Sequence, residues 1–477
     1  MTAIRESIAS VHGSELVRLV GADTDVPLVT GGVRRYVNLD YAASAPALQV
    51  VHDAVEELLG WYSSVHRGAG FKSRASTAAY EGARESIRRF VNGRDDDAVI
   101  ITRNTTDSIN LLAGTLPPGT HVVAFAGEHH ANLLPWKRCA GARYLPVPET
   151  PAEMLAQLEA TLRELPQCDD PHLVAVTGAS NVTGEIWPVA EIARVTHEYG
   201  ARLLVDAAQL APHVRIDMRR DEIDYLALSG HKLYAPYGAG ALIGERDWLV
   251  AGDPFLRGGG AVKLVTVEET LWADLPDRQE AGSPNVIGAV ALGVACDTLG
   301  SAGMDQIAAE ERALLDYARR RTADIDAFEH YRIWPAEHPR VGLLTFNLRG
   351  IQYDLLAAAL SAEHGIGIRH GCFCAHPLMM RLLKVSEAET HRLIEETRAG
   401  HHERLPGAAR MSLGLGSTRA DIDAFADALR AIAADGPQWT YAVADETDEY
   451  EPNPDPRPLP ALRMRMVEHP HGHGESA

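Results

Sequence analysis

The chain is poor in cysteine, in aromatic residues and in positive charge, and each shortage excludes a class of protein. Five cysteines in 477 residues, at positions 139, 168, 296, 372 and 374, are too few and too scattered for a disulfide scaffold, so reduced thiols are expected. Lys and Arg number 45 against 65 Asp and Glu, a formal net charge of −20. A nucleic-acid-binding surface needs clustered cations and is not expected here. No apolar run reaches the length of about 18 residues that a membrane span requires. Met1–Arg18 also lacks the charged, apolar and small-residue order of a secretory signal. A cytoplasmic protein without membrane or nucleic-acid partners is the expectation. No internal repeat occurs.

What is present is a large apolar fraction, 46% of residues, enough to bury the cores of more than one domain. Short apolar runs recur at Ala98–Thr102, His121–Ala126, Leu173–Thr177, Leu203–Asp206, Tyr225–Leu228 and Ala239–Ile243. Helical patterns cover Ala47–Trp61, Thr77–Val91 and Val189–Tyr199. Buried strands alternating with helices predict an α/β domain with a mostly parallel sheet sandwiched by helices. From about Ser301 the pattern changes. Helices over Met304–Ala323, Tyr353–His364 and Arg419–Ala434, with strands over Val341–Leu348 and Met411–Leu415, predict a smaller C-terminal α+β domain. The expected division is an N-terminal segment 1–30, a large domain 31–300, a small domain 301–440 and a tail 441–477. The tail is acidic, Pro-rich and His-rich, a composition unsuited to a core. Its His469, His471 and His473 read as part of a solvated tail in preference to a metal site.

Several polar groups follow the strands directly, at the edge where open α/β sheets bind ligands. Ser229-Gly-His-Lys232 ends one strand and leads into a turn of small residues, Ala235-Pro-Tyr-Gly-Ala-Gly240. Asp206, followed by Gln209, ends another; a buried carboxylate there suits a pyridine nitrogen, and a helix N-cap is the equally weighted alternative. Thr102-Arg-Asn-Thr-Thr106 opens a helix, which makes either an anion cradle or a plain cap. Glu128-His-His130 brings imidazoles to the same edge. An amine, an acid, an anion cradle and a stacking ring suit one cofactor, pyridoxal 5′-phosphate.

With further segments the pattern resembles the class V aminotransferase family of fold-type I pyridoxal-phosphate enzymes, and within it the cysteine desulfurase/selenocysteine lyase branch. The matching segments run in family order: Leu39-Asp-Tyr-Ala-Ala-Ser-Ala-Pro46, Val65-His-Arg-Gly68, Asn104-Thr-Thr106, Glu128-His-His130, Ser180-Asn181, Asp206-Ala-Ala-Gln209, Ser229-Gly-His-Lys232, Glu280-Ala-Gly-Ser-Pro-Asn285, Arg369-His-Gly-Cys-Phe-Cys374 and Arg410-Met-Ser412. The resemblance implies that Lys232 is the Schiff-base lysine, Asp206 the pyridinium partner, His129 the ring-stacking and proton-exchanging residue, and Gln209 the partner of the phenolic oxygen. Thr105, Thr106, Ser229 and His231 would hold the phosphate. Asn181 and Arg410 would grip the substrate carboxylate. Ser283 would reach the phosphate of a neighbouring subunit, which implies a homodimer.

Cys374 aligns with the family's nucleophile, whose thiolate takes sulfur from cysteine and passes it, as a persulfide, to an acceptor protein. Three departures stand out. Cys372 and Phe373 replace the histidines often found before the nucleophile, Ala207 replaces a frequent glycine, and a longer stretch, Met379–Ala409, separates Cys374 from Arg410. That stretch reads as an added helix near the site, over Glu387–Arg398 and followed by His401-His-Glu403. The leading expectation is desulfuration of L-cysteine or a related amino acid. Its rival is another class V activity (carbon–sulfur β-lyase, aminotransferase or epimerase) with Cys374 structural. A third reading is a binding protein on an enzyme scaffold.

Overall fold

The computed structural model describes residues 17–166, 170–400, 405–444 and 448–460. Seven strands form the main sheet, in the order Ala98–Thr102, Gly240–Gly244, Tyr225–Ser229, Arg202–Asp206, His172–Thr177, His121–Phe125 and Arg143–Leu145. Gly240–Gly244 is antiparallel to both its neighbours; the pairings from Tyr225–Ser229 to the far edge are parallel. Alternation along each strand sorts the side chains onto two faces. Val99, Val123, Val174, Leu203 and Leu226 face one hydrophobic core with Tyr80, Ile87, Leu158 and Ile192. Ile100, Val122, Leu173, Leu204 and Ala227 face another with Ile109, Leu112 and Trp248. Both faces are covered by helices, which is why these strands read as continuous apolar runs.

The helix Val286–Ala302 was not legible from periodicity, because it is apolar on every side and buried along most of its length. It lies against Phe71–Phe90 at Gly293, where a Cβ would fall 2.7 Å from Ala83. Phe71–Phe90 itself begins before the expected Thr77. Its early serines are held by tertiary contacts, Ser76 Oγ accepting from the Ser63 amide at 2.9 Å. No single helix among the described residues is long and apolar enough to cross a membrane.

The smaller sheet is antiparallel, ordered Phe328–Tyr331, Leu343–Leu348, Ala408–Ser412 and Arg369–Gly371. Met304–Thr322, Tyr353–His364 and Arg419–Asp435 are its helices. The last strand was expected at Met411–Leu415; it starts three residues earlier, because Ala408–Arg410 pair with Arg369–Gly371. Val37 and Leu39, placed by the expected boundaries in the large domain, pack in the core of this sheet. Val37–Asn38 pairs in parallel with Ile366–Gly367. In the segment after residue 440, Tyr441–Val443 pairs with Tyr450–Pro452, and the Tyr441 hydroxyl donates to Glu363 at 2.9 Å. Helices occupy His376–Leu382, which runs into the stretch Met379–Ala409, and Glu387–Arg398 within it. His401, His402, Glu403, His469, His471 and His473 lie outside the described residues.

Candidate active site

The carboxyl ends of Ala98–Thr102, His121–Phe125, His172–Thr177, Arg202–Asp206 and Tyr225–Ser229 deliver their following residues to one cavity of about 270 Å³. Its lining includes Thr105, Thr106, His129, Asn181, Asp206, Gln209, Ser229, His231, Lys232, Phe373, Cys374 and Arg410. These residues come from positions scattered along most of the chain. Ser283 alone stands elsewhere, exposed beside a separate opening with His66 and Arg67.

Asn104 caps the helix Thr105–Thr115, its side chain accepting from the Asp107 amide at 3.0 Å. The Thr105 amide in turn donates to Ser229 Oγ at 2.8 Å, so the helix start is sewn to the strand that precedes Lys232. Gly230 is required there: a Cβ would meet the Ala239 carbonyl at 2.7 Å. The Lys232 amine opens on the cavity, and burial pushes its pKa down to about 8, against the opposing pull of Asp206. Asp206 is 4% exposed and accepts from the Ala208 amide at 2.9 Å. Burial raises its pKa and the Lys232 charge opposes the rise.

His129 Nδ1 accepts from the Ala131 amide at 3.0 Å, which assigns the ring proton to Nε2. Burial, with the positive charges of Lys232 and Arg410 nearby, holds its pKa down to about 3, so the ring is neutral. Gln209 Nε2 lies 3.0 Å from His213 Nε2, and His213 Nδ1 lies 2.6 Å from Glu311. Gln209 Oε1 is buried without a partner. A lone buried acceptor on a cavity wall marks a place for a ligand's polar atom.

Arg410 sits mid-strand and is 3% exposed. It donates to the Asn181 carbonyl at 2.6 Å, lies 3.4 Å from Asp40 and stacks on the Phe373 ring at 4.9 Å. Burial lowers its pKa to about 10, with Asp40 opposing, and its Nε is buried and unpartnered. The Asn181 amide, expected to grip substrate, donates to the Phe373 carbonyl at 2.7 Å. The His130 amide holds the next carbonyl, that of Cys374, at 2.8 Å. Phe373 and Cys374 are both left-handed, with φ of 54° each. Two such residues in succession need fixed partners, and these tethers supply them while the Cys374 side chain stays exposed.

Two contributors were not singled out from the sequence. Asp40, inside the quoted Leu39–Pro46 segment, neutralises Arg410, and burial raises its own pKa. Glu128, inside Glu128–His130, accepts from the Thr177 amide at 2.9 Å and from Asn132 at 2.8 Å. Burial raises its pKa to about 8. Both are carboxylates beside a motif residue, a signal visible in the sequence but without an assignable partner there.

A helix-covered sheet, a strand-end lysine facing a buried aspartate and an inward arginine from a second sheet define a known class. The profile of the family Aminotransferase class-V matches residues 37–425, and the chain belongs to that family. Relatives within it carry a narrower name. A probable cysteine desulfurase from Halalkalibacterium halodurans is 36% identical over 404 residues, covering 82% of this chain and 92% of the relative. A cysteine desulfurase from Dickeya dadantii is 38% identical over 355 residues, covering 72% and 84%. Among solved structures, the cysteine desulfurase CsdA of Escherichia coli, in an S-sulfonic acid form, superimposes with a TM-score of 0.69 at 31% identity. That superposition covers 84% of this chain and 95% of the other.

Proposed function

We propose that this chain is a pyridoxal-5′-phosphate-dependent cysteine desulfurase, acting on L-cysteine or a closely related amino acid and leaving the sulfur on Cys374. The observation that carries the reading is a single cavity lined by Lys232, Asp206, Arg410 and an exposed thiol, Cys374. The cavity suits the cofactor on its own terms: a buried acid, Asp206, stands ready to accept from a protonated ring nitrogen beside the Lys232 amine, and the lone Arg410 Nε leaves a donor for the carboxylate of a substrate.

Thr105, Thr106, Ser229 and His231 would hold the phosphate at the start of a helix. Asp206 would pair with the ring nitrogen, Gln209 with the phenolic oxygen, and His129 would cover the ring. Bound there, the cofactor supplies an electron sink for the bond broken at the substrate Cα. The chain's residues do the rest. Arg410 orients the substrate through its α-carboxylate. Lys232 Nζ, with its proton affinity lowered to about 8, takes and returns a proton near neutral pH. The neutral His129 carries a proton on Nε2 and adds no positive charge to the cavity.

Sulfur transfer balances without an external oxidant. The Cys374 thiolate forms a bond to the substrate sulfur as the Cβ–S bond breaks; the electron pair goes to Cβ, which takes a proton. Alanine leaves and Cys374 holds a persulfide, to be handed to a thiol acceptor, a protein in our reading. We further read the enzyme as a homodimer, with Ser283 reaching a second subunit. The cysteines at 139, 296, 372 and 374 are free thiols, which favours a reducing compartment such as the cytoplasm.

The deciding experiment is incubation of the loaded enzyme with L-cysteine, with alanine, sulfide, pyruvate and ammonia all measured. Alanine with matching sulfide, once the persulfide is reduced, is the expected result. Pyruvate and ammonia in place of alanine would replace this reading with β-elimination.

A further inference from the structure

A second cavity, of about 290 Å³, lies in the smaller domain between the end of the helix Met304–Thr322 and the strand Phe328–Tyr331. It shares no lining residue with the cavity around Lys232. Arg319, His330, Arg332 and Arg340 line it, and no Asp or Glu is among its lining residues. In a chain of net charge −20, four basic side chains around one hollow run against the overall composition.

Their local pairing leaves positive charge over. Arg340 is fully committed: its guanidinium lies 3.0 Å from the buried Glu185 and also donates to the carbonyls of Trp334, Pro335 and Ala336. Arg319 meets Asp316 at 3.4 Å through Nη1, while its Nη2 is buried with no partner. His330 Nε2 is likewise buried with no partner. Among the described residues no salt bridge includes Arg332. The three guanidinium groups act on one another and on the ring: burial, then Arg319, Arg340 and Arg332, hold the His330 pKa down to about 4. Arg319 too loses proton affinity, to burial first and to Arg340 second.

Water in the cavity would satisfy N–H groups but leave the surplus positive charge, that of Arg332, without a counter-ion. An oxyanion does both, and charge-assisted bonds to guanidinium are the strong class of hydrogen bond. Apart from Thr322 the rest of the wall is apolar, with Ile325, Phe328 and Leu344, so the hollow also has room for a short hydrocarbon portion. We propose that this cavity is a binding site for a small oxyanion, a phosphate or a carboxylate with a short apolar group, held by Arg319, Arg332 and His330. The proposal is independent of the reaction at Lys232.

The test uses the cofactor-loaded enzyme, whose own phosphate cradle is filled. Inorganic phosphate and butyrate are titrated separately by calorimetry and by thermal melting, with chloride at equal ionic strength as the reference. At least one anion is expected to bind and to raise the melting temperature above the chloride control. Tighter phosphate assigns a phosphoryl ligand, and tighter butyrate a carboxylate with an apolar tail. Arg319→Gln and Arg332→Met should each weaken binding by about tenfold or more, the loss expected for a charge-assisted contact. Arg332 is exposed, so that variant keeps the fold intact should Arg319→Gln not. Absence of binding by both anions, or unchanged affinity in the folded variants, overturns the site.

Discussion

Arg410→Met should separate substrate binding from every other property of the active site. The side chain is anchored at its tip by the Asn181 carbonyl at 2.6 Å and by Asp40 at 3.4 Å. Its Nε has no partner at all, and a substrate carboxylate is the group it awaits in our reading. A charge-assisted hydrogen bond contributes about 1.5–3 kcal/mol, and about 1.4 kcal/mol is a factor of ten. The variant should therefore lose between about tenfold and a little over a hundredfold in kcat/KM, chiefly through KM. Arg410→Lys keeps a charge but loses the planar fork, and should fall between the two. Methionine also strands Asp40, so Asp40→Asn and the double variant complete a cycle that isolates this contribution. The assay is the initial rate of alanine release against L-cysteine concentration, with cofactor content and melting temperature checked for each protein. A KM within twofold of wild type, in a folded and fully loaded variant, would refute the assignment.

Further outcomes can be read with the same preparation. Cys374→Ser should retain the cofactor and bind substrate yet release no alanine, whereas Cys372→Ser should be tolerated; alanine production by Cys374→Ser, with Cys372 shown not to substitute, would falsify the desulfurase reading. Lys232→Ala should abolish covalent capture of pyridoxal 5′-phosphate, measured as a borohydride-stable mass adduct. Since the amine reacts in its neutral form and its pKa is near 8, capture by wild-type apoenzyme should speed up with pH and level off above about 8; a rise continuing toward the ordinary lysine value of about 10.4 would contradict it. Glu128 has a folded pKa raised to about 8, so the folded protein keeps a proton that the unfolded chain releases from about pH 4.3 upward. Its contribution to stability is therefore complete in acid and lost as pH rises through about 8; Glu128→Gln should show a smaller fall in melting temperature between about pH 6 and about pH 9 than wild type.

How much of this was legible in the sequence depended on whether a residue's surroundings are local. Asp206 ends a strand and Lys232, Thr105 and His129 follow one, so a hydrophobic run and the polar group at its end were enough to place them on one edge. The helix Val286–Ala302 escaped because a helix buried on all sides has no polar face to give a period. The N-terminal Val37 and Leu39 belong to a core formed with residues far along the chain, a pairing that no local pattern contains. The same reason hid the use of Asn181 as a tether for Phe373: its partner lies far away in sequence. The role of Asp40 likewise comes from Arg410, 370 residues further along the chain.

The strand pairing around the nucleophile has an entropic consequence. Gly371 and Ala408 face one another across the antiparallel pair Arg369–Gly371 and Ala408–Ser412, so everything from Cys372 to Gly407 is a single excursion that leaves and rejoins the sheet at one rung. The cost of closing such an excursion grows only with the logarithm of its length, about 0.6 kcal/mol per doubling for a flexible chain. The stretch between thiol and arginine therefore sits where length burdens folding least. Cys374 is close to the departing end and Arg410 just past the returning end, and neither position depends on how far the chain travels in between. Within the excursion Phe373, Ala375, Leu378 and Met379 are anchored in a buried cluster with Val182 and Ala408, so length can vary beyond Leu383 while thiol and guanidinium keep their places.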